Sequence, residues 1–206
     1  YLEEGDLTDE EVLRGLRAAS LDRKIFLVVP VAASKLVGVT ALLDAVLSFL
    51  PSPSDVGPVT GTVPSTGEEA VRYPKDSEPF SALAFKTTAD PYVGKLTVFR
   101  VYSGKLESNS TCLNANRGRV ERIGQLYCMK GKHQESVPSV IAGDIGAVGK
   151  LQETLTGDTL CDESKPIILP GITFPAPVYS VAVHPKTKGD EDKISAGLTR
   201  LTEEDP

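Results

Sequence analysis

The sequence has 206 residues, of which 40% are hydrophobic and 24% charged, a composition typical of a soluble globular chain with one or two domains. No apolar run is long enough to span a bilayer, and the polar, acidic first residues are unlike a secretory signal, so we expect no membrane contact and a cytoplasmic location. The net charge of −6 argues against a general nucleic-acid binder, including one for DNA.

The first fifty residues predict a helix, a strand and a second helix. Thr8 followed by Glu11 is a capping box, which predicts the start of the first helix. The continuous apolar run 25–29 predicts a strand buried on both faces, as in a parallel sheet. Apolar residues at helical spacing from Val39 onwards predict the second helix, which Pro51 ends. One parallel strand needs neighbours, so this segment indicates the end of an incomplete α/β domain.

The middle of the sequence predicts a small β-barrel that follows a linker. In residues 58–78, proline, glycine, serine and threonine break any periodicity, which predicts the linker. In residues 79–170, short runs of β-favouring residues alternate with turns that contain glycine, a texture typical of an antiparallel barrel. The predicted strands are 81–87, 95–102, 110–114, 119–129 and 144–150.

The end of the sequence predicts one strand and one helix. The strand is 178–183, and the helix carries Ile194, Leu198 and Leu201 on one stripe. Neither has a predicted partner. Both ends of the sequence therefore indicate incomplete domains, and we expect the chain, which starts at Tyr1 rather than Met, to be part of a longer protein.

Two segments imitate nucleotide-binding motifs. Residues 143–151 suggest a P-loop, but Asp144 replaces the first glycine and Leu151 replaces the hydroxyl residue that would bind magnesium. A barrel strand entered through a tight turn explains this segment better. Residues 187–190 match a short guanine-recognition pattern in the wrong order along the chain, and we interpret them as a charged turn before the last helix.

No catalytic residues and no metal site are predicted. The serines lie outside any G-x-S-x-G pattern, and no pair of acidic and basic catalytic groups stands out. His133 and His184 are too few and too far apart to suggest metal ligation. The odd number of cysteines favours free thiols in a reducing compartment. These cysteines are Cys112, Cys128 and Cys161.

One basic stretch lies within the predicted barrel. Residues 74–170 carry a net charge of +1, whereas residues 1–73 carry −5 and residues 171–206 carry −2, so the middle is the only segment that would not repel phosphates. Glu121 offsets part of the basic stretch, and a solvated barrel face explains the stretch equally well. Its basic residues are Arg117, Arg119, Arg122, Lys130 and Lys132.

Residues 79–170 resemble domain II of elongation factor G. The opening run P-F-S-A-L-A-F-K at 79–86 and the hairpin formed by D-P-Y-V-G at 90–94 and R-V-Y-S-G at 100–104 carry the resemblance. The later runs A-G-D-I at 142–145 and G-D-T-L-C at 157–161 support it. Residues 174–206 resemble the linker and the start of domain III, through F-P at 174–175, P-K-T-K at 185–188 and R-L-T-E-E-D-P at 200–206. Residues 39–53 resemble the last helix of the GTPase (G) domain.

The resemblance implies a mainly β fold class. It implies an antiparallel domain II β-barrel, flanked by the α/β C-terminal end of a G domain and by the first strand and helix of an α+β domain III. The implied boundaries are 1–57 for the end of the G domain, 58–78 for the linker, 79–170 for the barrel and 171–206 for the start of domain III.

The implied nucleotide loop departs from the family pattern. Where the family has G-S-A, with a backbone amide that contacts the guanine, this sequence has Val31, Ala32 and Ala33, and Lys35 follows. Ala33 keeps an amide, as any residue other than proline does, so Ala32, Ala33 and Lys35 are the candidates for a residual guanine contact. The two replacements point to an elongation-factor-G-like paralogue.

The resemblance implies a parent protein that binds the ribosome and uses GTP and magnesium to promote tRNA–mRNA translocation. Domain II of this family docks on small-subunit rRNA, which makes the five basic residues candidate RNA contacts. This chain lacks the P-loop, so we expect no GTPase activity and no bound cofactor. We also expect it to be a monomer. The alternatives are a ribosomal-protection factor of the tetracycline-resistance type, a stand-alone RNA-binding barrel and a small-molecule enzyme. The strand and helix within 25–50 count against the second, and the missing catalytic set counts against the third.

Overall fold

The structure is a computed structural model that describes residues 5–90, 94–131, 133–187 and 189–206. It divides into two compact units between Val56 and Gly57. We describe each unit separately.

The first unit is helical. It contains α1 (Asp9–Leu21), a 3₁₀ turn (Ala33–Lys35), α2 (Val39–Phe49) and the short α3 (Pro53–Val56). The Thr8 hydroxyl accepts a hydrogen bond from the Glu11 amide, and the Glu11 carboxylate accepts one from the Thr8 amide at 2.8 Å, so the predicted capping box is confirmed. The predicted second helix is also confirmed, as α2.

The strand predicted at residues 25–29 is wrong. These residues form no regular structure, and Phe26 and Val28 are 88% and 90% exposed. A strand is stable only when a neighbouring strand pairs with its N–H and C=O groups. No strand within the described residues pairs with this segment. The β-favouring sequence therefore forms an irregular segment whose apolar residues are partly exposed.

The second unit begins with a hairpin where a linker was predicted. Its strands are β1 (Val59–Thr62) and β2 (Glu69–Arg72), which pair antiparallel. Thr62 and Ile168 exchange two backbone hydrogen bonds, of 2.9 and 2.7 Å, which attach the hairpin to the barrel. A Cβ atom at Gly61 would lie 2.4 Å from the Ile168 carbonyl oxygen, so only glycine allows this approach. The expectation of a linker without regular structure at 58–78 is corrected.

Ten further strands build the barrel. Eight form one antiparallel sheet in the order β7-β6-β12-β3-β4-β11-β8-β9, and β5 pairs with β10. The predicted strand 119–129 is two strands, because the chain turns away at buried Ile123, whose amide donates to the Ser110 carbonyl. The ranges are β3 (Ser81–Asp90), β4 (Gly94–Ser103), β5 (Lys105–Glu107), β6 (Thr111–Asn114), β7 (Arg119–Arg122), β8 (Leu126–Lys130), β9 (His133–Val137), β10 (Ser139–Ile141), β11 (Ile145–Gly149) and β12 (Thr159–Cys161).

The inner face of the sheet carries the main core. Alternate residues of β4 point inwards, and Phe99 and Val101 are completely buried. Phe99 shares one apolar cluster with Ile123, Leu126 and Leu160, which come from other strands and from the β7–β8 connection. The core therefore lies within the barrel.

The imitation P-loop at 143–151 is a barrel strand, as predicted. The strand β11 follows a turn in which Gly143 has a φ of 94° and the Asp144 amide donates to the Ile141 carbonyl at 3.0 Å. Gly146 lies against the core, since a Cβ atom there would be 2.9 Å from the Phe99 ring.

The last segment contains a helix without the predicted strand. The predicted helix is confirmed as α4 (Glu191–Glu204). The strand predicted at 178–183 is wrong: the segment has no regular structure, and Val178 and Tyr179 are 101% and 83% exposed. Within the described part of the chain it has no pairing strand. The fold class is mainly β with a domain-II-like antiparallel sheet, as predicted, although neither flanking strand forms.

Candidate nucleic-acid interface

Two of the five candidate RNA contacts are exposed arginines on one short strand. Arg119 and Arg122 lie at the two ends of β7, where their backbones are opposite Asn114 and Thr111 of β6. Neither arginine forms an ion pair with any described residue. Val120 between them is also exposed, at 53%. The two arginines are three positions apart, so the alternation of a strand places their side chains on opposite faces of β7. Each guanidinium group is exposed and has no carboxylate partner among the described residues.

Two other candidates already have carboxylate partners. The Arg117 Nε atom donates to the Asp158 carboxylate at 3.2 Å, and the Lys130 ammonium group pairs with Glu135 across β8 and β9. Lys132, the fifth candidate, lies outside the described residues. A cation with a carboxylate partner attracts phosphate less strongly than one without, so the structure ranks Arg119 and Arg122 first.

Glu121 lies beside these arginines but points into the protein. Its side chain is 2% exposed and accepts hydrogen bonds from the amides of Gln152, Glu153 and Thr154 at 2.8–3.1 Å. The Thr154 hydroxyl donates a fourth, at 2.8 Å. These donors offset the cost of burying a carboxylate. The expectation that Glu121 offsets the surface charge of the basic stretch is therefore corrected, since its charge is used inside the barrel.

A second buried carboxylate explains the position of Arg117. One oxygen of Asp158 accepts hydrogen bonds from the Asn114 side-chain amide at 3.0 Å, from the Leu155 amide at 3.0 Å and from Arg117. Asn114 also donates to the Thr154 hydroxyl at 3.1 Å and accepts from the Arg117 amide at 3.0 Å. This polar network fixes the loop before β12 against β6 and β7. Arg117 therefore has a structural role in the barrel.

The outer face of the central strands carries basic residues that the sequence reasoning missed. Arg100 lies on β4 between Leu83 of β3 and Ile145 of β11, and its guanidinium carbon is 5.5 Å from the centre of the Tyr102 ring. Exposed Lys86 lies on β3 opposite Val98. The i,i+2 spacing of Arg100 and Tyr102 in a predicted strand was the signal that could have placed both on one face. They are isolated along the chain, so a search for basic runs does not find them.

The implied nucleotide loop is a tight turn in the first unit. Ala32 and Val37 exchange two backbone hydrogen bonds, of 3.0 and 3.3 Å, across the 3₁₀ turn that contains Ala33 and Lys35. Leu36 and Gly38 both adopt left-handed backbone conformations. The loop thus holds the three residues Ala32, Ala33 and Lys35 together at the surface immediately before α2.

The second imitation motif is a turn, as predicted. The Thr187 hydroxyl and the Lys193 ammonium group both donate to the Asp190 carboxylate, which precedes α4. The hydrogen bond from Lys193, supported by the one from Thr187, lowers the pKa of Asp190. Lys188, the second residue of the motif, lies outside the described residues. The Asp190 carboxylate is therefore bound by side chains of its own segment.

The cysteines are free thiols, as predicted. Cys112 and Cys161 line a cavity of about 580 Å³, together with residues such as Phe80, Lys105 and Asp162. Burial, with a smaller contribution from Cys161, raises the pKa of the Cys112 thiol to about 12. Burial also raises the pKa of Cys161. These thiols remain protonated at neutral pH.

The described residues contain neither a metal site nor a membrane-spanning helix. No group of three or more histidine, cysteine, aspartate or glutamate side chains there is arranged to hold a metal ion. Each helix in that part of the chain is too short or too polar to cross a bilayer.

Comparison with known proteins gives matches to two family models. The model for elongation factor G domain 2 matches residues 79–163, and the model for elongation factor G domain III matches residues 174–206. A crystal structure of a protein from Thermus thermophilus is similar over 100% of this chain, with a TM-score of 0.77 and 28% sequence identity. The chain spans 28% of the length of that protein. The two family matches follow each other in chain order and together take in more than half of the sequence, so the chain belongs to the elongation factor G family of translation factors.

Proposed function

We propose that this chain is part of a ribosome-binding GTPase of the elongation factor G type, which promotes GTP-dependent tRNA–mRNA translocation. Residues 1–57 are then the end of the G domain, residues 58–78 the connection, residues 79–170 domain II and residues 171–206 the start of domain III. The family matches over the barrel and the last segment support this division. The activity of the whole protein is part of the proposal, because the chain spans only 28% of the similar Thermus protein.

The role of the barrel in this proposal is to dock on small-subunit rRNA. The observation that carries it is the pair of exposed arginines on β7, Arg119 and Arg122, which have no carboxylate partner among the described residues. Guanidinium groups bind phosphate oxygens through paired N–H donors. Phosphate contacts position a protein on RNA without reading its sequence, which suits a barrel that recognises a fixed ribosomal surface.

The chain alone contributes no GTP hydrolysis in this proposal. The segment that imitates a P-loop is the barrel strand β11, and it offers no hydroxyl for magnesium at Leu151. The loop of Ala32, Ala33 and Lys35 is the remaining candidate for a contact with guanine. GTP and magnesium therefore belong to the intact parent protein.

The test is binding of the chain to purified small ribosomal subunits across a series of salt concentrations. We expect weak binding, because the other contacts of an intact factor are missing, and affinity that falls steeply with salt as counterions are released from phosphates. Large subunits serve as the control for general attraction to RNA. Equal binding to both subunits, or affinity that does not change with salt, would contradict the docking role.

A ribosomal-protection factor is the second candidate, because it shares this architecture. A translation assay with the full-length protein separates the two. The proposal expects GTP-dependent translocation on ribosomes free of antibiotic, whereas a protection factor restores translation only in the presence of tetracycline.

A further inference from the structure

The acidic residues at the C-terminal end of the last helix, α4, destabilise that end of the helix. Its last turn contains Glu203 and Glu204 and no basic residue, and Asp205 follows directly. A helix C-terminus carries partial negative charge, so acidic residues there repel it and a nearby cation stabilises it. A cation placed beside the C-terminal turn of α4 therefore stabilises it.

Lys95 of the barrel supplies this charge. Its ammonium nitrogen lies 3.4 Å from a carboxylate oxygen of Glu203, and the two side chains are 18% and 31% exposed. Lys95 lies near the start of β4, opposite Ala89 of β3, and its carbonyl oxygen accepts a hydrogen bond from the Lys150 amide at 2.9 Å. The cation is thus fixed on a strand that is paired on both sides.

The packing of the helix on the barrel leaves much of its apolar stripe exposed. The helix packs against β3, but Leu198 and Leu201 of its apolar stripe remain 45% and 60% exposed. The chain that leads to it, residues 171–187, is exposed throughout and forms no helix or strand. The half-buried ion pair therefore adds to the packing that holds α4 in place.

We propose that Lys95 and Glu203 form an electrostatic clasp between the barrel and α4, and that opening this clasp both releases the helix from the barrel and frays its last turn. The clasp joins the segment that matches domain 2 of the family to the segment that matches domain III. Because the attraction is between charges that are partly exposed, the clasp weakens as ionic strength rises. Its existence does not depend on ribosome binding.

The test is hydrogen exchange of the α4 amides in this chain and in three variants: Lys95→Glu, Glu203→Lys and the double exchange of both residues. Each single reversal places like charges together, and we expect α4 to exchange about fivefold faster, as suits an ion pair of this exposure. The double exchange restores opposite charges and should recover most of the protection. Lys105→Glu, which disrupts the Lys105–Glu107 pair of β5, is the matched control and should leave α4 unchanged.

Three results would overturn the clasp. The first is unchanged exchange in both single variants. The second is a double variant no better protected than either single variant, because that shows that the two charges do not act on each other. The third is α4 exchange in the unmodified chain that is as fast as in residues 172–183, because the helix is then not held at all.

Discussion

The buried carboxylate of Glu121 accepts hydrogen bonds from both the amide and the hydroxyl of Thr154, at 2.9 and 2.8 Å. Thr154 in turn accepts a hydrogen bond from Asn114 of β6, so the relationship connects three separate parts of the barrel. It fixes the loop before β12 beneath the strand that presents Arg119 and Arg122. Because the Glu121 carboxylate is buried, the exposed charges of β7 are those of Arg119 and Arg122.

Glu121→Ala should destabilise the chain by about 2–4 kcal/mol, because the amides of the loop lose their acceptor while they remain partly buried. Glu121→Gln should cost about half as much, since one acceptor oxygen remains and the other becomes a donor that faces an amide. Urea unfolding measures both. Glu153→Ala is the control, because the Glu153 side chain is exposed and only its amide takes part. A Glu121→Ala chain as stable as this control would contradict the account of the network.

Arg117 should affect stability more than RNA binding. Arg117→Ala removes a donor from the Asp158 carboxylate, which is 9% exposed, and should cost about 1–2 kcal/mol in urea unfolding. Arg119→Ala, two residues away on the exposed strand, should change stability by less than about 0.5 kcal/mol. Equal stability of the two variants would show that the Asp158 contact has no structural role.

The three cysteines should differ strongly in reactivity. Burial raises the pKa of Cys112 to about 12, so only about one molecule in ten thousand carries its thiolate at pH 8. Cys128 is half-buried on β8 and should be alkylated by iodoacetamide in the folded chain. Mass spectrometry of alkylated peptides should find Cys128 modified first, and Cys112 and Cys161 modified at an appreciable rate only in denaturant. Early modification of Cys112 in the folded chain would contradict its burial.

Helix α1 should lose protection in acid. The hydrogen bond that Glu11 accepts from the Thr8 amide, together with the one from the Thr8 hydroxyl, lowers the pKa of Glu11. A pKa that is lower in the folded chain means that the stabilisation is present above the unfolded value and is lost as the pH falls through the folded value. Amides in the first turn of α1 should therefore exchange faster relative to the rest of the helix below the usual pKa of a glutamate. The Glu11→Gln chain has no titrating carboxyl group at this position and should lose this pH dependence, and retention of it would place the cause elsewhere.

Local sequence signals predicted the parts of this fold that depend on local contacts. The capping box at Thr8, the apolar spacing of α2 and the alternation in β4 each involve neighbours within a few residues. The hairpin of β1 and β2 was missed although its own pairing is local, because the proline and glycine residues around it are typical of a linker. Its attachment to the barrel at Ile168, more than a hundred residues further along the chain, has no local signal. The composition of the apolar run at 25–29 favours a strand, but a strand also needs a pairing partner, which composition does not reveal.

In the candidate site, too, local features were predicted and long-range contacts were not. Composition identified the basic stretch, but only the three-dimensional packing shows that Arg119 and Arg122 are exposed while Glu121 is buried. The partners of Glu121 and Arg117 lie 31 to 41 residues away along the chain, where no spacing rule connects them. Only the pairing of β3 with β4 places Lys86 and Arg100 on one face of the sheet.

The most direct test of the central claim is binding of an Arg119→Glu, Arg122→Glu double variant to purified small ribosomal subunits over a salt series. The account predicts at least a tenfold loss of affinity and a shallower salt dependence, because each lost phosphate contact removes roughly 0.7–0.9 from the slope of log K against log salt. Lys105→Glu, which reverses a lysine that already pairs with Glu107, should leave both quantities nearly unchanged. Unfolding curves that match the unmodified chain show that the variants are folded. Unchanged affinity and slope in the folded double variant would contradict the claim that β7 is the surface that docks on rRNA.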